Sequence, residues 1–191
     1  HPVIQFLKRY LEKKEIFFIN AHCSSYLPNW RKKKNYRNSV SAQKKFGGGV
    51  ILELSHEIDY LIWILKGFRI KYSYNRKISD LDINVEDVFN LVAEKNKKTL
   101  INLSINFFSR IEKRFILVDG KNFSIVADLI KNKIKIFEKD NLKLINFKKF
   151  KMIDSYKIQN YNLIKNNRKN LCDIKQGIKV LKVISQIKKN S

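Results

Sequence analysis

Within GGGVILELSHEIDYLIWILKG, residues 47–67, an otherwise apolar run carries Glu53, His56, Glu57 and Asp59. An imidazole can take or give a proton near neutral pH, and a carboxylate one helical turn away fixes its tautomer and stabilises its cation. Glu53, His56 and Asp59 stand at i, i+3 spacing, so a helix brings all three to one face. A helix over residues 49–65 sorts Val50, Ile51, Leu54, Ile58, Leu61, Ile62 and Leu65 onto a docking face. Glu53, His56, Asp59, Tyr60 and Trp63 fall on the other, as the wall of a catalytic site would, and Glu57 turns to solvent. The glycines ahead of the run permit close backbone approach at the helix entrance, where the dipole favours an anion. The same residues also fit a histidine–carboxylate pair on an ordinary surface and a plain glycine turn.

The elements that must position this segment can be read from periodicity. Residues 3–14 space Ile4, Leu7 and Leu11 as one helical face. Residues 15–23 are β-rich, and residues 24–49 form a long irregular loop. Short β-branched and aromatic runs follow at 68–78, 85–96, 99–109, 113–121, 122–129, 132–140 and 142–150, with Asp119-Gly120 as a hairpin signal. Links this short leave no room for helical crossovers, so the sheet is expected to be mainly antiparallel. At the tail Asp173 and Gln176 form a reciprocal capping pair, followed by a stripe of Ile174, Ile178, Leu181, Ile184 and Ile187. The plan is an α+β chain with one large, mainly antiparallel sheet and helices packed on one face.

The chain has 191 residues and is 44% hydrophobic, enough to bury a core as one domain, 1–191. Its formal net charge of +23 suggests a polyanion, but the lysines are scattered and the clusters short, which argues against a dedicated nucleic-acid arm. Cys23 and Cys172 are the 2 cysteines, with no metal-ligand spacing around them, so neither a disulfide framework nor a metal site is expected. A reducing, cytoplasmic compartment fits. No apolar run reaches the roughly 18 residues of a membrane span.

The segment from Gly47 to Trp63 resembles the C-terminal domain of the glucose–fructose oxidoreductase, inositol dehydrogenase and rhizopine catabolism (Gfo/Idh/MocA) family. So do His1-Pro2 with its helix, SSYLPNWR followed by NYR and SA, VEDVFNLV, and the closing CDIKQGIKVLKVISQIKKNS. The resemblance implies a dihydrodipicolinate-reductase-like sheet domain on the substrate side of an NAD(P)-dependent oxidoreductase. Its substrate would be a sugar or sugar nucleotide, with a lean toward precursors of cell-surface glycans. It also implies self-association through the sheet as a homo-oligomer. His56 and Asp59 match the family's HxxD, and the resemblance implies that His56 moves the proton during hydride transfer. Many members carry an aspartate four residues before the histidine; here that position is Leu52, with Glu53 one further on. The chain has no GxGxxG and no Glu-Lys-Pro. The N-terminal nucleotide-binding domain, which would hold most of the NAD or NADP, is therefore expected to lie outside it, and the chain alone to be inactive.

Tyr26, Trp30, Tyr36 and Arg37 could hold a sugar ring and an anionic group, or could anchor the loop by their own rings. Tyr60 is a further substrate-contact candidate. Two rivals from other classes are a basic β-rich module that binds a polyanion such as nucleic acid, and a non-catalytic assembly domain. Polyanion binding would collapse with salt, and sugar binding would not.

Overall fold

A computed structural model describes residues 1–168 and 171–189. Its element order is α1 (Pro2–Leu11), β1 (Ile16–Tyr26), a loop of short 3-10 turns, α2 (Val50–Glu53) and α3 (Ser55–Leu65), then β2 (Arg69–Arg76), β3 (Val88–Lys95) and β4 (Thr99–Asn106). There follow β5 (Phe108–Gly120), β6 (Phe123–Asp128), β7 (Lys133–Glu138), β8 (Asn141–Asn146), α4 (Met152–Ile164) and α5 (Ile174–Lys189). Among the described residues, no helix is long and apolar enough to cross a membrane.

The strands form one sheet in the order β2-β3-β4-β1-β5-β6-β7-β8. All neighbours pair antiparallel except β1 and β4, which run parallel with Ala21 opposite Leu103. The expected α+β class with one large, mainly antiparallel sheet is observed. Period-two alternation explains its two faces. Ile19 and Ala21 of β1, Ile101 and Leu103 of β4, and Ile116 and Val118 of β5 are buried. The residues between them, among them Asn20, His22, Asn102, Ser104 and Leu117, are only half-buried. On the buried side α1 contributes Val3, Ile4, Leu7 and Leu11 at helical spacing, and Pro2 opens its first turn, where a missing N–H costs nothing.

Several local expectations are revised. The β5–β6 turn is Lys121-Asn122, with Asn122 at φ 63°, and Gly120 belongs to the strand, paired with Phe123. A side chain at Gly120 would lie 2.2 Å from the Phe123 ring and 2.5 Å from the Glu15 carbonyl oxygen, so this glycine is a packing requirement rather than a turn residue. The β7–β8 hairpin turns on Lys139 and Asp140, both left-handed at φ 49° and 61°, as a two-residue hairpin of this hand demands. Helix α4 was not expected. Met152, Ile153, Tyr156, Tyr161, Leu163 and Ile164 are all exposed and gather on no single stripe, so the 3.6-residue period gives no signal there. In α5 the capping pair is present, with Gln176 N–H donating to Asp173 Oδ1 at 2.7 Å. Only Ile184 and Ile187 of the expected stripe are buried, joined by Val180, while Ile174, Ile178 and Leu181 are exposed.

Replacing Gly120 with alanine should push Phe123 out of its place and lower stability by about 1–3 kcal/mol, the usual cost of overpacking, measured by urea unfolding.

Candidate functional site

The apolar run that opened the sequence reading is two helices. The chain breaks at Leu54 (φ −105°, ψ 25°), between α2 and α3. Within α3, Glu57, Tyr60, Leu61 and Ile64 stand at i, i+3, i+4, i+7 and are all buried against the sheet. The expectation that Glu57 faces solvent is therefore wrong, and so is the placement of Tyr60 on the open wall. Ile62, expected to dock, is instead half-exposed with Trp63 in a groove.

Glu57 is fully buried, and its Oε1 lies 2.8 Å from Nη2 of Arg114 on β5. The same oxygen lies 3.2 Å from Nε2 of His56, whose side chain is 50% exposed. The wholly buried Tyr60 hydroxyl adjoins this carboxylate without fully aligned hydrogen-bond geometry. Burial favours the neutral acid at Glu57, but contact with His56, the Arg114 charge and Tyr60 outweigh it and hold the carboxyl below its usual range. Behind the cluster, burial and the Glu57 charge push the Cys23 thiol up to about 12, so it stays protonated.

Asp59 lies one turn beyond His56. Burial raises its carboxyl above the usual value, against the pull of His56. It lines a groove of about 490 Å³ between α1, α3 and α5, together with Lys8, Trp63, Phe68, Lys179 and Lys182. The Lys8 ammonium donates to the Trp63 carbonyl and sits 5.5 Å from the centre of the Trp63 ring. Glu53 stands apart on α2; among the described residues it forms no ion pair, and the carboxylate against His56 is Glu57. Residue spacing missed Glu57 and Arg114. The available signal was an acidic residue on the α3 stripe and an arginine in a strand otherwise read as core.

The loop residues divide. Trp30 and Tyr36 line one cavity of about 390 Å³ with Arg31, Asn35 and Ser39. The indole N–H of Trp30 donates to Ser25 Oγ at 2.8 Å, and its ring meets Phe107 edge-on. Arg37 pairs with Asp82 at 2.7 Å, and the Tyr36 hydroxyl accepts the Asp82 backbone N–H at 3.1 Å. Tyr26 lies under the Arg110 guanidinium, 3.6 Å from the ring centre.

The glycine entrance does not fit a dinucleotide diphosphate. Gly49 has φ 109°, and a side chain there would lie 2.4 Å from the Glu86 carboxylate. The close approach that glycine permits is used by the chain's own acid, which occupies the space beside the helix entrance. Among the described residues no group of three or more histidine, cysteine, aspartate or glutamate side chains is placed to hold a metal ion.

No family model matches the chain, and no curated protein matches it. Solved structures do. The UDP-N-acetylglucosamine 3-dehydrogenase GnnA from Acidithiobacillus ferrooxidans is similar over 100% of this chain and 58% of its own, at TM-score 0.74 and 18% identity. An NAD binding oxidoreductase from Klebsiella pneumoniae is similar over 100% of this chain and 61% of its own, at TM-score 0.79 and 13% identity. The WlbA dehydrogenase from Bordetella pertussis, solved with NADH and UDP-GlcNAcA, is similar over 98% of this chain and 58% of its own, at TM-score 0.71 and 14% identity. The chain thus has the fold of a part of such Gfo/Idh/MocA-type dehydrogenases and spans less than two thirds of their length. At these identities the likeness is one of fold.

Removing Arg114 leaves the buried Glu57 charge without its guanidinium partner. Arg114→Met should therefore cost about 3–5 kcal/mol near neutral pH. The native Glu57 carboxyl is depressed, so the stabilisation it gives is complete above the ordinary carboxylate range and lost as pH falls through its folded value. The gap between wild type and R114M in urea unfolding should accordingly narrow on acidification.

Proposed function

We propose that this chain is the substrate-side domain of an NAD(P)-dependent oxidoreductase acting on a sugar or sugar nucleotide, with His56 carrying the substrate proton. The observation that carries this reading is a half-exposed imidazole whose one ring nitrogen rests against a buried, arginine-neutralised carboxylate. That arrangement stabilises an imidazolium formed when a hydroxyl gives up its proton. Asp59 adds a second carboxylate one turn on. Glu57 takes the place expected for Glu53, and Tyr60 acts from behind the carboxylate rather than on substrate. NAD or NADP would accept the hydride, and a nucleotide-binding domain joined ahead of His1 would hold it.

Trp30 and Tyr36 offer ring faces to a sugar, with Arg37 and Asp82 at the side of that cavity. A sugar-nucleotide substrate would suit the making of cell-surface glycan precursors in a reducing, cytoplasmic compartment. The dehydrogenases named above, one of them solved with NADH and UDP-GlcNAcA, support the choice of substrate and cofactor class. Self-association through the open sheet face is supported by the exposed cross-strand pair Phe137 and Leu142, with exposed Leu144 beside it on β8 and exposed Val126 on β6 beyond Lys135.

The reading frame ahead of the His1 codon should encode a strand, GxGxxG and later Glu-Lys-Pro. A start codon directly ahead with no such domain would overturn the reading. In the enzyme encoded by that frame, His56→Ala should lower kcat on a UDP-sugar by about 10²–10⁴-fold, followed by nicotinamide absorbance. For the sheet face, the wild-type chain should sediment as an oligomer and Phe137→Lys with Leu144→Lys as a monomer.

A further inference from the structure

Glu57 is an acid on a stripe that a leucine would satisfy at lower cost. A buried ion pair seldom outweighs the desolvation of its two charges, so the Glu57–Arg114 pair has no clear justification in stability alone. Its geometry points elsewhere. One carboxylate oxygen, Oε1, lies 2.8 Å from the Arg114 guanidinium and 3.2 Å from His56 Nε2, close ion-pair contacts in which no N–H is aligned on the oxygen, so its hold on the ring is electrostatic. His56 is the second residue of α3 and Glu57 the third, so ring and carboxylate are neighbours on the first turn of the helix. Arg114, on the strand beneath, holds the carboxylate in place beside the ring. The Tyr60 hydroxyl, wholly buried, limits the remaining space around it.

Resting on the reading of His56 as the proton carrier, we propose that Glu57 is its positioning residue. Held by Arg114, the carboxylate keeps the proton of the neutral ring on Nε2 and leaves Nδ1 to receive the proton of a substrate hydroxyl. The carboxylate itself touches no substrate. It sets which nitrogen reacts and limits the swing of the ring.

The first test needs only this chain and its three histidines. Long-range proton–nitrogen NMR at alkaline pH, where imidazoles are neutral, should find His56 as a single Nε2-protonated tautomer, with couplings that report one side-chain rotamer. A wild-type ring protonated at Nδ1, or one averaging over rotamers, would overturn the proposal without any variant. In the double variant Glu57→Leu with Arg114→Met, which leaves no unpaired buried charge, the His56 ring should become a mixture with averaged couplings. His22, held by the Ser24 hydroxyl at 2.9 Å and the Phe115 ring, should keep one tautomer and report an intact sheet, its signals moving only with the loss of the Glu57 charge that it feels. An unchanged His56 spectrum in that variant would overturn the proposal too. In the complete enzyme the double variant should lower kcat by about tenfold with KM within about twofold, the mark of an interaction made in the transition state. Loss of activity in H56A together with full kcat in the double variant would sink the positioning role alone. Full activity in H56A would sink the reading of His56 as proton carrier, while the wild-type ring spectrum would still report whether Glu57 holds the ring.

Discussion

Strand β1 lies at the centre of the sheet, parallel to β4 on one side and antiparallel to β5 on the other. A parallel neighbour cannot be reached by a hairpin, so the chain between β1 and β4 must leave the sheet and cross one face. That crossing carries the long loop, α2 and α3, then returns through β2 and β3. The constraint explains why α2 and α3 share one side of the sheet, with α3 over β1 and β5. Glu57 meets Arg114 and Cys23 for the same reason, since those two residues are cross-strand partners beneath α3. Fold and candidate site have one cause.

The charge pair beneath α3 links packing to chemistry. In an otherwise apolar layer of Ile58, Leu61, Ile64 and Leu65, a carboxylate is tolerated because a guanidinium reaches it from the strand below. Burial alone would protonate the acid, and it stays ionised because His56 and Arg114 both favour the charge. The result is a fixed negative point under an exposed ring. A surface carboxylate at the position of Glu53 would be hydrated and screened and would bias the ring far less.

What could be read in advance divides along the range of the interaction. The strands were legible because a sheet with one covered face imposes period two, and β3, β4, β6 and β7 keep it. The capping pair at Asp173 and Gln176 is equally local. Glu57 was misread because charge argues for solvent until its partner is known, and Arg114 sits on a distant strand. Gly49 was misread in the same way, since Glu86, the acid packed over it, lies far along the chain. The turn at Lys139-Asp140 carries no glycine, so its left-handed residues leave no mark in composition. Helix α4 escaped because periodicity reports a buried stripe, and α4 leaves its apolar residues outside.

Glycine, acid and helix end together decide what the chain can hold. Residues 47–49 have the composition of a phosphate cradle, but α2 beyond them is four residues long. The Val50 amide already donates to the Glu86 carbonyl at 3.0 Å. Lys188 on α5 lies 3.6 Å from the Glu86 carboxylate, so an internal ion pair stands beside the entrance. The amides of Gly47, Gly48 and Gly49 donate to the Lys44, Gln43 and Ser41 carbonyls of the loop, so the donors that would bind a diphosphate are spent within the chain. A chain that spends its glycines in this way commits them to folding. The groups it leaves partly open are a histidine over a carboxylate, a second acid one turn on, and an aromatic cavity in the loop. Proton handling and sugar contact are within reach of that set.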